Sequence, residues 1–235
     1  MKLSEEVFEY LENKKFSNGL EVEIYGENYN LDRVQLIKKI LSGKAVIHVG
    51  CADHLPLIEQ KMESSSWLHA EMGKVVSNLI GLDNNQDAID FIKAKGVENV
   101  YFTDIIKNDV LQEIKNNKWD YLFLGEIVEH VNDPVLFLKA IKSKYEKRVE
   151  FIIITVPNAF RLANFKYALS SKELINSDHR YWFTPYTIAK VLTQSGMVVS
   201  DYYLIDAFSS PGVIQSLRRK YFPTVSDTIV MIAKL

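Results

Sequence analysis

Two kinds of apolar pattern alternate along this chain. Five short runs, at 45–49, 78–83, 99–103, 121–125 and 151–156, are almost continuously apolar. Strands buried on both faces of a parallel sheet read this way, because neither face is left for polar side chains. Between them, stretches near 55–76, 85–95, 107–116 and 133–147 carry one apolar and one polar face and predict helices. This rhythm implies an α/β fold: a doubly wound, mostly parallel sheet with helices on both sides. After residue 160 the rhythm changes. Helices are expected at 161–170 and 185–195, separated by a polar connection, and strands at 198–205 and 228–234 around a basic helix near 213–221. The expected sheet therefore has seven strands. Ahead of it, Val7, Phe8, Tyr10 and Leu11 predict a helix over 4–14. Val34, Leu36, Ile37, Ile40 and Leu41 predict another over 31–42, with Asn30 or Asp32 as its cap. No repeat, low-complexity stretch or Pro/Gly/Ser-rich linker divides the rest. The reading is a helical N-terminal extension, 1–43, followed by one α/β domain, 44–235.

Composition narrows the function. The 235 residues are 47% apolar and 25% charged, with a formal net charge of -2 and a pI near 6.2. No global basic field advertises nucleic acid or a membrane surface, so a small-molecule substrate is expected. The lone Cys51 excludes an internal disulfide framework and a cysteine-based zinc knuckle. The acidic, amphipathic start lacks the basic, apolar opening of a signal peptide, so the expected location is cytoplasmic. Lys far outnumbers Arg, and Asn and Ile are common, as in an AT-rich bacterial genome. The N-terminal helices are expected either to cover the site or to form a homodimer interface.

The candidate chemistry begins where the first apolar run, Ala45 to Val49, meets Gly50, and where the second, Asn78-Leu79-Ile80-Gly81-Leu82-Asp83, ends on an acid. Ligands of open α/β sheets bind at the carboxyl ends of such strands. A carboxylate there can accept hydrogen bonds from both hydroxyls of a ribose. A dinucleotide site would need three glycines in the turn. Cys51, Ala52, Asp53 and His54 follow Gly50 instead, so a nicotinamide or flavin dinucleotide is disfavoured.

These landmarks, in order, resemble the class I S-adenosylmethionine-dependent methyltransferases over about residues 44–200. Val46-Ile47-His48-Val49-Gly50-Cys51-Ala52 is similar to the first motif, and Gly81-Leu82-Asp83 to the acid-tipped second strand. Tyr101-Phe102-Thr103-Asp104 resembles the third. The stretch from Trp119 through Gly125, Glu126, Glu129 and His130 to Pro134 resembles the fourth strand and its loop. Val156-Pro157-Asn158 and the stretch from His179 to Pro185 resemble later landmarks. The resemblance implies S-adenosylmethionine as cofactor. Gly50, with the backbone at Cys51 and Ala52, would line its methionine part, and Asp83 its ribose, with Asn84 beside it. Asp104 would meet the adenine amino group, with Ile105 on the ring, and Gly125 and Glu126 would form the wall beneath the sulfonium. His48 stands where the family usually places the acid that anchors the cofactor's amino group, and can accept only one hydrogen bond. Ala52 and His54 stand where glycines are usual. The long segment carrying Trp67-Leu68-His69 either covers the cofactor or is a surface helix.

Glu126, Glu129 and His130 would share one face if the segment were helical; as a loop after the fourth strand it permits their convergence without enforcing it. His130 is then the candidate general base for an acceptor hydroxyl, with Glu126 and His179 beside it as further catalytic candidates. The Glu-x-x-Glu-His run with a later His also resembles small-RNA 2′-O-methyltransferases. That implies Glu126, Glu129, His130 and His179 as ligands of Mg²⁺ or Mn²⁺ gripping terminal hydroxyls. Asn158, Arg161, Arg180 and Tyr181 are the candidate acceptor contacts; cations among aromatics suit a sugar-bearing or anionic molecule. The expected reaction is O-methylation of a small polar metabolite such as a nucleotide-linked sugar or surface-glycan precursor. The alternative is a catalytically idle relative kept as a binding or scaffold subunit, which the irregular first motif would suit.

Overall fold

A computed structural model of the chain describes residues 2–25, 31–53, 55–64, 66–207, 217–218 and 220–235. Two helices lead, α1 (Glu5–Leu11) and α2 (Arg33–Leu41), followed by strand β1 (Ala45–Val49). Then come α3 (Leu55–Glu63), α4 (Leu68–Gly73), β2 (Asn78–Asp83), α5 (Gln86–Ala94), β3 (Val100–Phe102), α6 (Gln112–Lys115) and β4 (Trp119–Gly125). A short 3-10 turn over Val128–His130 leads to α7 (Pro134–Tyr145), β5 (Val149–Pro157), α8 (Leu162–Leu169), α9 (Pro185–Gln194), β6 (Val198–Ile205) and β7 (Thr228–Lys234).

Among the described residues the strands form one sheet of order β3-β2-β1-β4-β5-β7-β6. Strands β1 to β5 run parallel, and β7 is inserted antiparallel between β5 and β6. The order reverses between β1 and β4, which opens the crevice where such sheets bind ligands.

Period-2 alternation explains why the central strands read as continuous apolar runs. Ile47, Val49, Leu122, Leu124, Ile152 and Ile154 feed one core. Their neighbours Val46, Phe123 and Ile153 feed the core on the other face. Helix α1 gives Val7 and Leu11 to the first core, joined by Leu3 just ahead of it, and Gln194 of α9 donates to the Leu11 carbonyl at 2.7 Å. Helix α2 gives Leu36, Ile37 and Leu41 to the second. Both helices ahead of β1 are thus packed into the sheet's own cores.

Helix starts follow local chemistry. Asp32 caps α2 in a capping box with Gln35; the other candidate, Asn30, lies outside the described residues. Asn85 caps α5, Asp133 caps α7 ahead of Pro134, and Thr184 caps α9 ahead of Pro185. The single helix expected over 55–76 is instead two, α3 and α4. The buried Trp67 indole donates to the Cys51 carbonyl at 2.8 Å and draws the chain inward at the break. The helix expected over 107–116 shortens to α6, because residues 104–107 fold around the Asp104 carboxylate. Most of the basic helix expected near 213–221 lies outside the described residues, as does His54. Among the described residues, no helix is long and apolar enough to cross a membrane.

Candidate active site

A cavity of about 630 Å³ opens at the carboxyl edge of the sheet, where β1, β2 and β4 end side by side. Gly50 turns the chain away from β1 with φ 69°, and a Cβ there would meet Ile127 Cδ1 at 2.8 Å. Only glycine satisfies both conditions without strain. The Gly50 and Cys51 amides both donate to the Leu82 carbonyl, at 2.8 and 3.2 Å, tying this turn to the end of β2. The Asp83 carboxylate accepts from the Ala52 amide and the Asn85 amide, each at 3.0 Å. Burial pushes its pKa up against the pull of those amides. A carboxylate offers about four lone-pair directions, so two remain for ligand donors.

His48 is buried beneath this turn, its Nδ1 3.2 Å from His69 Nδ1 and the two rings stacked. Gly81, facing His48 across the sheet, makes room for the pair: a Cβ there would lie 2.7 Å from both His69 Cε1 and Cys51 Sγ. His69 thus belongs to the site's foundation, while Trp67 and Leu68 border the cavity. Burial, and for His48 the neighbouring ring, keep both imidazoles neutral. His48 is held well below its usual range, and His69 falls from 6.5 to about 4. An unfolded chain binds protons there at higher pH than the native one. Stability contributed by the neutral His69 ring is therefore complete above pH 6.5 and is lost as pH falls toward 4. The loss amounts to about 3 kcal/mol. The unfolding midpoint in urea should accordingly fall more steeply across this window for the native protein than for His69→Gln, and equal slopes would discount the pair.

The segment after β4 is a loop and does not take the helical geometry that would align the Glu-x-x-Glu-His run on one face. Glu126 takes a left-handed backbone conformation, φ 54°, and Val128–His130 form a single 3-10 turn. Glu129 and His130 meet His179 from the segment before α9: one ligand atom from each lies within 4.8 Å of the others. The His130 and His179 rings pack edge to face, 4.6 Å between centroids. Glu129 is fully buried, and neither carboxylate oxygen has a hydrogen-bond partner among the described residues. Burial, aided by the charge of Glu126, raises its pKa to about 8. Burial and His130 lower that of His179, whose Nδ1 is also buried with no hydrogen-bond partner among the described residues. Glu126 stays apart from this cluster and is ion-paired with Arg33, at the start of α2.

The cavity thus brings together His48, Gly50, Cys51, Ala52, Asp83, Asn84, Gly125, Glu126, His130 and His179. It does not include Asp104 or Ile105. The Asp104 carboxylate accepts from the Ile106 and Lys107 amides at 3.0 Å, which outweigh its burial and hold its pKa low. Ile105 packs in the core. The expected acceptor residues are committed elsewhere. Asn158 is fully buried and bonds the Thr224 and Ser226 carbonyls and the Phe160 amide. Arg161 lies over Trp182, 4.8 Å from the ring centroid, and donates to Asn164 and Leu174. Arg180 donates to the His130 carbonyl, and the Tyr181 hydroxyl to that of Asn132 at 2.7 Å. These last two clamp the segment carrying His179 onto the loop carrying Glu129. Arg33 is among the cavity residues that carry no sequence signal, since one cation at a helix start makes no motif.

Residues 63–153 match the family described as Methyltransferase domain. No curated protein matches the chain. Among solved structures it is similar to an S-adenosylmethionine-dependent methyltransferase from Mesorhizobium loti, with TM-score 0.53 and 12% identity over 86% of this chain and 97% of that one. It is similar also to the methyltransferase domain of bacterial CtHen1, with TM-score 0.53 and 18% identity over 87% and 97%. A third is magnesium protoporphyrin IX methyltransferase (ChlM) from Synechocystis PCC 6803 with bound SAH, with TM-score 0.50 and 12% identity over 85% and 77%. At such identities the likeness is one of fold. With 382 matching chains, the fold by itself selects no acceptor.

Proposed function

We propose that the chain is a class I S-adenosylmethionine-dependent methyltransferase that methylates a hydroxyl oxygen of a small polar acceptor, with Glu129, His130 and His179 holding a divalent cation beside that hydroxyl. The observation that carries this reading is the fully buried Glu129 carboxylate, with no hydrogen-bond partner at either oxygen among the described residues and two imidazoles beside it. A buried polar group without partners is costly, and such exceptions mark sites completed by something bound. Two nitrogens and one carboxylate oxygen favour Mn²⁺ over the harder Mg²⁺.

The cavity also fits the cofactor. Its volume suits a ligand of nucleoside size, and Asp83 keeps acceptor capacity for ribose hydroxyls. The S-methyl group on a cationic sulfur is already activated, so the protein's task is alignment. In this reading the Gly50–Ala52 backbone borders the methionine part, and Gly125 and Glu126 close the opposite wall. A divalent cation at the cluster would hold the acceptor hydroxyl and lower its pKa. Arg161 and Arg180 have internal partners, so hydroxyl chemistry rather than anion capture supports the acceptor class. A sugar with neighbouring hydroxyls, as in a nucleotide-linked sugar, suits it.

The test is methyl transfer from labelled S-adenosylmethionine to a panel of sugars and nucleotides, before and after chelation. Chelation should abolish transfer, with Mn²⁺ restoring more than Mg²⁺; full activity in chelator would remove the cation from the mechanism. A second, metal-free reading makes His130 the general base. It is favoured by the Arg33–Glu126 pair, which leaves the cluster one carboxylate short. In either reading His130→Ala should spare S-adenosylhomocysteine binding and cut turnover at least about a hundredfold. Unchanged turnover would exclude both.

A further inference from the structure

Within the Glu126-x-x-Glu129-His130 run, Glu126 alone is turned away from the cluster. It stands in left-handed backbone conformation, its carboxylate paired with Arg33. Arg33 comes from outside the α/β repeat, as the first residue of α2. It lines the same cavity as Gly50 and Asp83, and its Nε is buried without a partner among the described residues. The guanidinium therefore has donor capacity unspent at the cavity wall, while the carboxylate it holds belongs, by sequence, to the neighbouring cluster.

We propose that Arg33 couples the two halves of the cavity. A ligand carboxylate, such as that of the cofactor's amino-acid end, takes Arg33 and frees Glu126 to join Glu129, His130 and His179 around the cation. This deepens the metal reading above and rests on it. Guanidinium prefers a carboxylate it can engage with two parallel hydrogen bonds, which an incoming ligand carboxylate can offer. A second carboxylate beside two imidazoles strengthens a site for a hard divalent ion. Coupling of this kind is reciprocal: the ligand tightens the cation by the factor by which the cation tightens the ligand.

Calorimetric titration with MnCl₂ tests it on the full chain in three states: alone, saturated with S-adenosylhomocysteine, and saturated with 5′-methylthioadenosine. The last keeps the nucleoside and lacks the carboxylate. Mn²⁺ should bind roughly tenfold tighter with S-adenosylhomocysteine, and with methylthioadenosine no tighter than alone. Arg33→Met should bind Mn²⁺ in the tight form without any ligand. Glu126→Gln, with Arg33 intact, should stay in the weak form throughout. Circular dichroism would check that each variant is folded. Equal Mn²⁺ affinity in all three states, or equal tightening by both nucleosides, would overturn the coupling and leave the three-residue cation site standing. No Mn²⁺ binding in any state or variant would overturn both.

Discussion

Replacing Asp83 by Ala should weaken S-adenosylhomocysteine binding at least about a hundredfold. Two hydroxyl donors to a carboxylate contribute roughly 1.5–3 kcal/mol each, and about 1.4 kcal/mol is a factor of ten. The same side chain also receives the Ala52 and Asn85 amides, so its loss loosens the turn after β1 as well. Asp83→Asn separates these contributions. It preserves size and one acceptor oxygen, but sets an amide NH₂ where the other oxygen received an N–H or a ribose hydroxyl. Affinity should fall for both variants, further for Ala, while melting by circular dichroism stays cooperative. If folded Asp83→Ala binds S-adenosylhomocysteine within about threefold of the native protein, Asp83 is not a ribose ligand.

Glu129→Met should produce opposite effects on stability and on cation response. A carboxyl whose pKa is about 8 when folded and 4.5 otherwise keeps a proton that the unfolded chain releases. Its contribution to stability is therefore progressively lost as pH rises from 4.5 toward 8. At neutral pH that penalty is up to about 3 kcal/mol. Met, similar in length and apolar, escapes it. The metal-free variant should melt higher than the native protein by up to roughly 10 °C at neutral pH, given about 2–4 °C per kcal/mol at this chain length. Added Mn²⁺ should raise the melting temperature of the native protein and leave that of Glu129→Met unchanged. A variant that melts lower and still responds to Mn²⁺ would make Glu129 a structural residue.

Much of the frame was legible because it rests on short-range physics. Strands β1, β2, β4 and β5 announce themselves as apolar runs, since each feeds both cores in alternation. Asp32, Asn85, Asp133 and Thr184 announce helix starts, because capping needs only a neighbour two or three residues on. Gly50 and Asp83 were legible as a turn and a strand tip at one sheet edge. Less visible was how the segment after β2's neighbour is spent. Trp67 breaks the expected helix by bonding a carbonyl 16 residues earlier, and His69 finds His48 across 21.

The polar residues show the boundary most clearly. Asn158, Arg161 and Arg180 read as acceptor contacts because residue type reports only what a side chain can bond. Which partner reaches it first is settled by packing, and here those partners are backbone carbonyls and ring faces of the chain itself. Glu126, Glu129 and His130 would share one face only in a helix; in the loop they occupy, the left-handed turn at Glu126 sends its carboxylate to Arg33. Sequence alone placed the strands, the caps and the acid-tipped crevice, because periodicity and capping act within a few residues. Tertiary structure decided that the Glu129 carboxylate is buried with no hydrogen-bond partner among the described residues, that His179 joins it from 50 residues away, and that Arg33 reaches Glu126. Those depend on burial and on distances between segments far apart in the chain, which local pattern does not encode.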